Sequence, residues 1–158
     1  MISYGERSND QLLQYYGFVI ADNPHDVYVL PAVRQWDLEG LEQACSRSIQ
    51  PGRLQKLDAA GLLGPADQAD PKGVVVSRQG VDPAVIQGLR ALVSSNDEWE
   101  NAKQAVGNFA APVSDANEAC VFKAIRYVLE NELASKPTTL DQDQQLQRRL
   151  NKPDPEER

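Results

Sequence analysis

Apolar residues recur every three or four positions along most of this chain and alternate only in a few short runs. The longest helical stripe is Phe122, Ile125, Leu129 and Leu133, which predicts a helix from the capping-box pair Asp115 and Glu118 to Ser135. Asp82-Pro83 predicts another helix start, with Asp as the cap, Pro at the first helical position, and Val85, Ile86, Leu89, Leu92 and Val93 on one face. Asp37 is placed to cap a segment in which Leu38, Leu41 and Cys45 share a side; Pro51-Gly52 ends it, and Leu54 and Leu57 mark the next. A further helix is predicted around Trp99, over about 97–107, and Thr139 with Gln142 would cap a last one carrying Leu140, Leu146 and Leu150.

Extended structure is expected at the start of the chain. "ISYG" reads as a strand ending at Gly5, and Ser8 with Gln11 has capping-box spacing for a short helix that Gly17 stops. Phe18-Val19 then reads as a new strand, Asn23-Pro24 as a turn, and "DVYVL" as a strand with Val27 and Val29 on one face and Tyr28 on the other. "VVVS" is a further short strand, preceded by the polar loop "PADQADPKG" and followed by the turn "RQG". The pattern predicts a mainly α fold: a small β-rich piece over the first thirty-odd residues, a multihelical domain after it, and a frayed tail over residues 151–158.

Composition narrows the partners. A chain of 158 residues with 41% hydrophobic side chains supports one real core, so two independent cores are not expected. The net charge of -7 opposes binding to nucleic acid or anionic lipid, both of which draw on clustered Lys and Arg. No apolar run approaches the roughly 20 residues needed to span a bilayer. Cys45 and Cys120 lie far apart in the sequence inside helical segments, a pattern of free, buried thiols in a reducing compartment.

Candidate chemistry is sparse. There is no Gly-x-Ser-x-Gly, no phosphate loop and no CxxC, and a single histidine rules out a metal site built on imidazoles. A Cys-His pair using His25 lacks any basic or Gly-rich neighbour that would lower either thiol pKa. His25 reads as a residue that orders its turn through a hydrogen bond. The remaining concentration is aromatic: Tyr15, Tyr16, Phe18 and Tyr28 are either wedges between sheet and helices or the walls of a site.

"ISYGERSNDQLLQYYGFVIADNPHD" resembles the carboxyl end of the SET domain in protein-lysine methyltransferases of the Rubisco large-subunit class. There a Ser-Tyr-Gly strand, a Ser-Asn dipeptide, a Leu-rich helix and Tyr-Gly-Phe-Val before Asn-Pro follow in this order. "PAVIQGLRALV" and "TTLDQDQQLQRRL" are similar, more weakly, to the helical substrate-binding domain that follows SET. The resemblance implies residues 1–33 as the end of a SET domain, 34–150 as the docking domain, and 151–158 as a tail.

It further implies Tyr16 as the active-site tyrosine, with Phe18, Tyr28 and, more weakly, Tyr4 lining the channel for the target lysine. Tyr15 is expected to face into packing. The cofactor implied for the full-length enzyme is S-adenosyl-L-methionine. The partner is a lysine-bearing protein, Rubisco large subunit or another, and the implied compartment is the chloroplast, with cytoplasm and nucleus known for related enzymes. The family's Asn-His motif that binds the methyl donor is not in this sequence, so tight cofactor binding and turnover are not expected of this chain by itself. The competing expectation is a stand-alone helical module that binds a protein and methylates nothing.

Overall fold

The computed structural model describes residues 5–59, 73–103 and 109–150. Tyr4 and the "ISYG" strand, most of the loop before Val74, the end of the helix around Trp99, and the tail lie outside the described residues. The described elements are α1 (Asn9–Tyr16), β1 (Val27–Leu30), a single 3₁₀ turn (Val33–Gln35), α2 (Leu38–Cys45), α3 (Arg53–Ala59), β2 (Val74–Ser77), β3 (Gly80–Val81), α4 (Pro83–Leu92), α5 (Asn96–Lys103), α6 (Asp115–Ala134) and α7 (Leu140–Leu150). The fold is therefore mainly α with a small sheet, as the sequence pattern predicts.

The sheet is antiparallel in the order β1-β2-β3, with Tyr28 opposite Val76 and Leu30 opposite Val74. Its β content is not gathered in the opening thirty residues: β1 pairs with a strand more than forty residues downstream. Leu30 and Val74 are buried and point into the helical core, whereas the neighbouring pair Val29 and Val75 is exposed on the outer face.

Phe18-Val19 does not form the predicted strand. Residues 18–20 leave α1 as irregular chain, and the Asn9 side chain takes both backbone groups of Ile20, donating to its carbonyl (3.0 Å) and accepting from its amide (2.9 Å). A carboxamide thus supplies the two bonds that a neighbouring strand would have made.

The helical core joins Leu30, Val33, Trp36, Leu41, Leu57, Leu89, Leu92, Val121, Ala124 and Val128. Asp37 caps α2 by accepting from the Gly40 amide, and Asp82 caps α4 with Pro83 behind it, as expected. At α7, Thr139 and Gln142 bond reciprocally at 2.8 and 3.3 Å, completing the predicted capping box.

α6 departs from expectation in two ways. Its cap is Ser114, one residue earlier than Asp115, with the Ser114 hydroxyl accepting from the Asn117 amide at 3.0 Å; Asp115 sits instead in the first turn, where the helix dipole favours it. Its buried face is Asn117, Cys120, Val121, Ala124 and Val128, not the predicted stripe. Phe122 and Leu133 are 69% and 70% exposed, and Ile125 and Leu129 are only half-buried. Small side chains decide which side packs: Cys120 and Ala124 let α2 approach, and Gly40 of α2 lies directly against Tyr127.

Buried polar groups fix the remaining helices. Arg53 is 3% exposed, donates to the Ala91 carbonyl at 2.9 Å, and lies 4.0 Å over the Trp99 ring. Arg90 bridges to Glu118 at 2.6 and 2.9 Å, while Asn117, fully buried, donates to the Arg90 carbonyl at 3.0 Å. These bonds tie α3 and α6 to α4.

Candidate functional site

The end of α1 presents the aromatic pair. Gly17 ends the helix in the left-handed conformation (φ 76°), its amide bonding the Leu13 carbonyl, a geometry that glycine adopts without a Cβ penalty. The reversal brings Tyr16 and Phe18 together with ring centroids 6.3 Å apart and planes tilted by 46°. The Arg7 guanidinium sits 5.8 Å over the Tyr16 ring. Tyr16 is 46% exposed, so the side chain is not buried in the core. Tyr15, expected in packing, is more exposed still, at 65%; the buried residue of this helix is Leu12.

What holds the turn is a network that the sequence reading missed. The Ser8 hydroxyl does not cap α1 but donates to Asp10, so the predicted capping box is absent. Asp26 serves instead, accepting from the Asn9 amide at 2.8 Å and from its side chain at 3.2 Å. Asn23, 3% exposed, donates to the Arg7 carbonyl at 2.8 Å and to Asn9 at 3.2 Å. Asn9, Asn23 and Asp26 therefore clamp the helix start to the loop that follows Phe18. Asn and Asp flanking a short helix are the residues that satisfy loop backbone through their side chains. His25 is exposed, and its backbone amide donates to Asn23 Oδ1 at 3.0 Å, so it orders the turn through the main chain.

Tyr28 makes its contacts with the far end of α6. Its hydroxyl donates to Glu132 Oε1 at 2.5 Å and accepts from Lys136, whose ammonium lies 5.0 Å from the ring centroid. Lys136 also bonds Glu132 at 2.6 Å, and that carboxylate holds the ammonium's pKa up while the ammonium holds the carboxyl's down. The structure thus brings Tyr16 and Phe18 into ring contact and ties Tyr28 to an ion pair of the helical body.

The two thiols are free and buried, as predicted, and far from separate in space. Cys45 Sγ donates to the Cys120 carbonyl at 3.3 Å, and Cys120 Sγ to the Cys45 carbonyl at 3.7 Å. Burial, with the neighbouring Cys120 adding to it, pushes the Cys45 thiol up to about 11, the opposite of what a nucleophile needs. Among the described residues no group of three His, Cys, Asp or Glu side chains converges as metal ligands, and no helix is long and apolar enough to cross a membrane.

A family model described as "Rubisco LSMT substrate-binding" matches residues 46–158. The chain belongs to the Rubisco LSMT substrate-binding family. The matched stretch of this family member takes in α3 to α7 and the β2–β3 hairpin, while Tyr16, Phe18 and Tyr28 precede it. A search of curated proteins found no match.

Proposed function

We propose that this chain is the C-terminal part of an S-adenosylmethionine-dependent protein-lysine N-methyltransferase, with residues 1–33 closing its SET domain and residues 34–150 docking the protein substrate. The observation that carries the reading is the family match over 46–158. The Tyr16-Gly17-Phe18 turn supports it, because it sets an exposed tyrosine beside a half-buried phenylalanine ring.

In this reading Tyr16 orients the attacking amine, and Phe18, Tyr28 and Tyr4 wall its channel. A lysine ammonium, with an ordinary pKa of ~10.4, must shed its proton and its water before the nitrogen can attack in line. Aromatic walls strip the water, and a phenol oxygen directs the lone pair. S-adenosylmethionine supplies the activated methyl group. The Tyr16 hydroxyl would accept weak C–H···O contacts from its sulfonium methyl, with the Phe18 ring beside the phenol. The Asn-His half of a SET domain would hold the adenine and amino-acid ends of S-adenosylmethionine. Rubisco large subunit, in the chloroplast, is the substrate that the family description suggests.

A second reading keeps the helical domain as a stand-alone, non-catalytic interaction module. It is favoured by the matched stretch falling on the helical body and not on the tyrosine turn. Upstream coding sequence separates the two: an in-frame Asn-His half supports the enzyme, and a stop codon directly upstream supports the module. The chemical test is Tyr16→Phe in the full-length protein, assayed by labelled-methyl transfer to a lysine-bearing protein. The expected loss is at least about tenfold in kcat, with unchanged circular dichroism. An unchanged rate would return Tyr16 to a packing role.

A further inference from the structure

The two thiols at the seam of α2 and α6 take no part in the chemistry proposed above. Cys45 is the last residue of α2, and Cys120 lies in the second turn of α6, 75 positions away. Both are buried, at 5% exposure each. Their contact is reciprocal: each sulfur reaches the other residue's carbonyl, Cys45 Sγ at 3.3 Å and Cys120 Sγ at 3.7 Å. Two thiols that each touch the opposing main chain face one another across a single side chain's depth, and the Cys120 thiol is near enough to bond Cys45 directly.

Chemistry, not distance, keeps this pair at rest. The thiolate is the attacking form, and burial, with Cys120 adding to it, pushes the Cys45 thiol up to about 11. Leu41 and Ala124, one turn along each helix from the cysteines, are fully buried and shut out reagents from solvent. The dithiol therefore reacts slowly in the folded chain, and the same burial shields a bond once made.

We propose that Cys45 and Cys120 form a redox staple, a dithiol that a low-molecular-weight disulfide oxidises to a covalent bond joining α2 to α6. One protein thiolate attacks a sulfur of the reagent, forming a mixed disulfide and releasing one small thiol. The facing protein thiol then attacks the protein sulfur of that mixed disulfide and releases the second. Each cysteine gives up its proton and each departing sulfur takes one, so two protein thiols are oxidised by two electrons while the reagent disulfide is reduced to two thiols. Rotation about the two Cα–Cβ bonds turns the sulfurs from the carbonyls toward each other. The bond spans 75 positions, so it removes much of the unfolded chain's freedom. The inference does not depend on whether the chain takes part in methyl transfer.

The test is the thiol–disulfide equilibrium of the whole chain in buffers of reduced and oxidised glutathione. The reduced chain is refolded from urea into each buffer, so that both thiols are accessible at the start, and a parallel series is held unfolded in urea. Acid quenching and intact mass read the products. The chain has only two cysteines, so a monomer lighter by two hydrogens identifies the bond. The effective concentration of one thiol at the other should be at least about tenfold higher in the folded chain than in urea, and the oxidised chain should by linkage unfold at higher urea with unchanged circular dichroism. Cys120→Ser should yield only the glutathione adduct at Cys45. A folded value less than tenfold above the urea value overturns the proposal, as does a wild type that ends as glutathione adducts or disulfide-linked dimers, and the cysteines are then packing residues alone.

Discussion

Glu98 accepts bonds from three separate segments of the helical body, and Glu98→Gln perturbs all three at once. Its oxygens accept from the Ser114 hydroxyl at 2.5 Å, the Ser95 amide at 2.8 Å and the Arg47 guanidinium at 2.8 Å. One side chain therefore completes the capping of α5, steadies the cap residue of α6, and holds the segment between α2 and α3. Burial pushes its pKa up, but the bonds from Ser114, Ser95 and Arg47 outweigh it and take the carboxyl from 4.5 to about 2. That depression corresponds to a ceiling of about 3 kcal/mol, discounted to about 2 kcal/mol because the side chain is still 16% accessible.

A carboxyl whose pKa falls on folding stabilises the native state above its unfolded pKa. The contribution fades as pH drops from 4.5 through about 2. The glutamine side chain in its place keeps the shape and one acceptor but points an amide donor at groups that are donors themselves. Urea unfolding followed by circular dichroism should show the variant about 2 kcal/mol less stable near neutral pH, with the gap closing as the wild-type carboxyl protonates. A gap that is absent at neutral pH, or that persists unchanged in acid, refutes the electrostatic account of this hub.

Two further changes probe the helix contacts. Gly40→Ala should cost about 1–2 kcal/mol in urea unfolding, because a Cβ there meets the Tyr127 hydroxyl and dislodges its 2.7 Å bond to Asp37. In a Tyr127→Phe background the same change should cost less, since that bond is already gone. With the Cys45 thiol held at about 11 by burial, a disulfide reagent at mildly alkaline pH should label the native protein slowly and find two thiols once urea unfolds it. Rapid labelling of native protein would show that the α2–α6 contact opens.

Helix positions are legible wherever a cap and a period agree: Asp37, Asp82-Pro83 and Thr139 with Gln142 all mark the ends they promise. α6 shows where period fails. Phe122, Ile125, Leu129 and Leu133 are more apolar than the Asn117–Val121–Ala124–Val128 face, yet the latter is buried, because α2 and α6 approach closely enough for Cys45 and Cys120 to bond each other's carbonyls, which favours small side chains at that seam. At the candidate site, Gly17 announces the turn that pairs Tyr16 with Phe18, since a left-handed helix end is a local property. The clamp by Asn9, Asn23 and Asp26 is not local. It joins residues up to 17 positions apart, and no spacing rule distinguishes it from an ordinary polar loop.

The β1–β2 ladder is the joint between the opening stretch and the helical body, and its register fixes what the joint can do. Tyr28 and Leu30 share the face turned toward the helices, Leu30 inside the core and Tyr28 at its rim on Glu132 and Lys136. A slip of one residue would turn Leu30 out to solvent and bring exposed Val29 inward, so buried area holds the pairing more firmly than the surface ion pair does. Asp26, which caps α1, directly precedes β1. The chain therefore runs from the Asn9 clamp directly into a strand whose position is set by the core of the helical body. The turn that carries Tyr16 and Phe18 is thereby tied, through bonded side chains and a paired strand, to the buried core of the helical body.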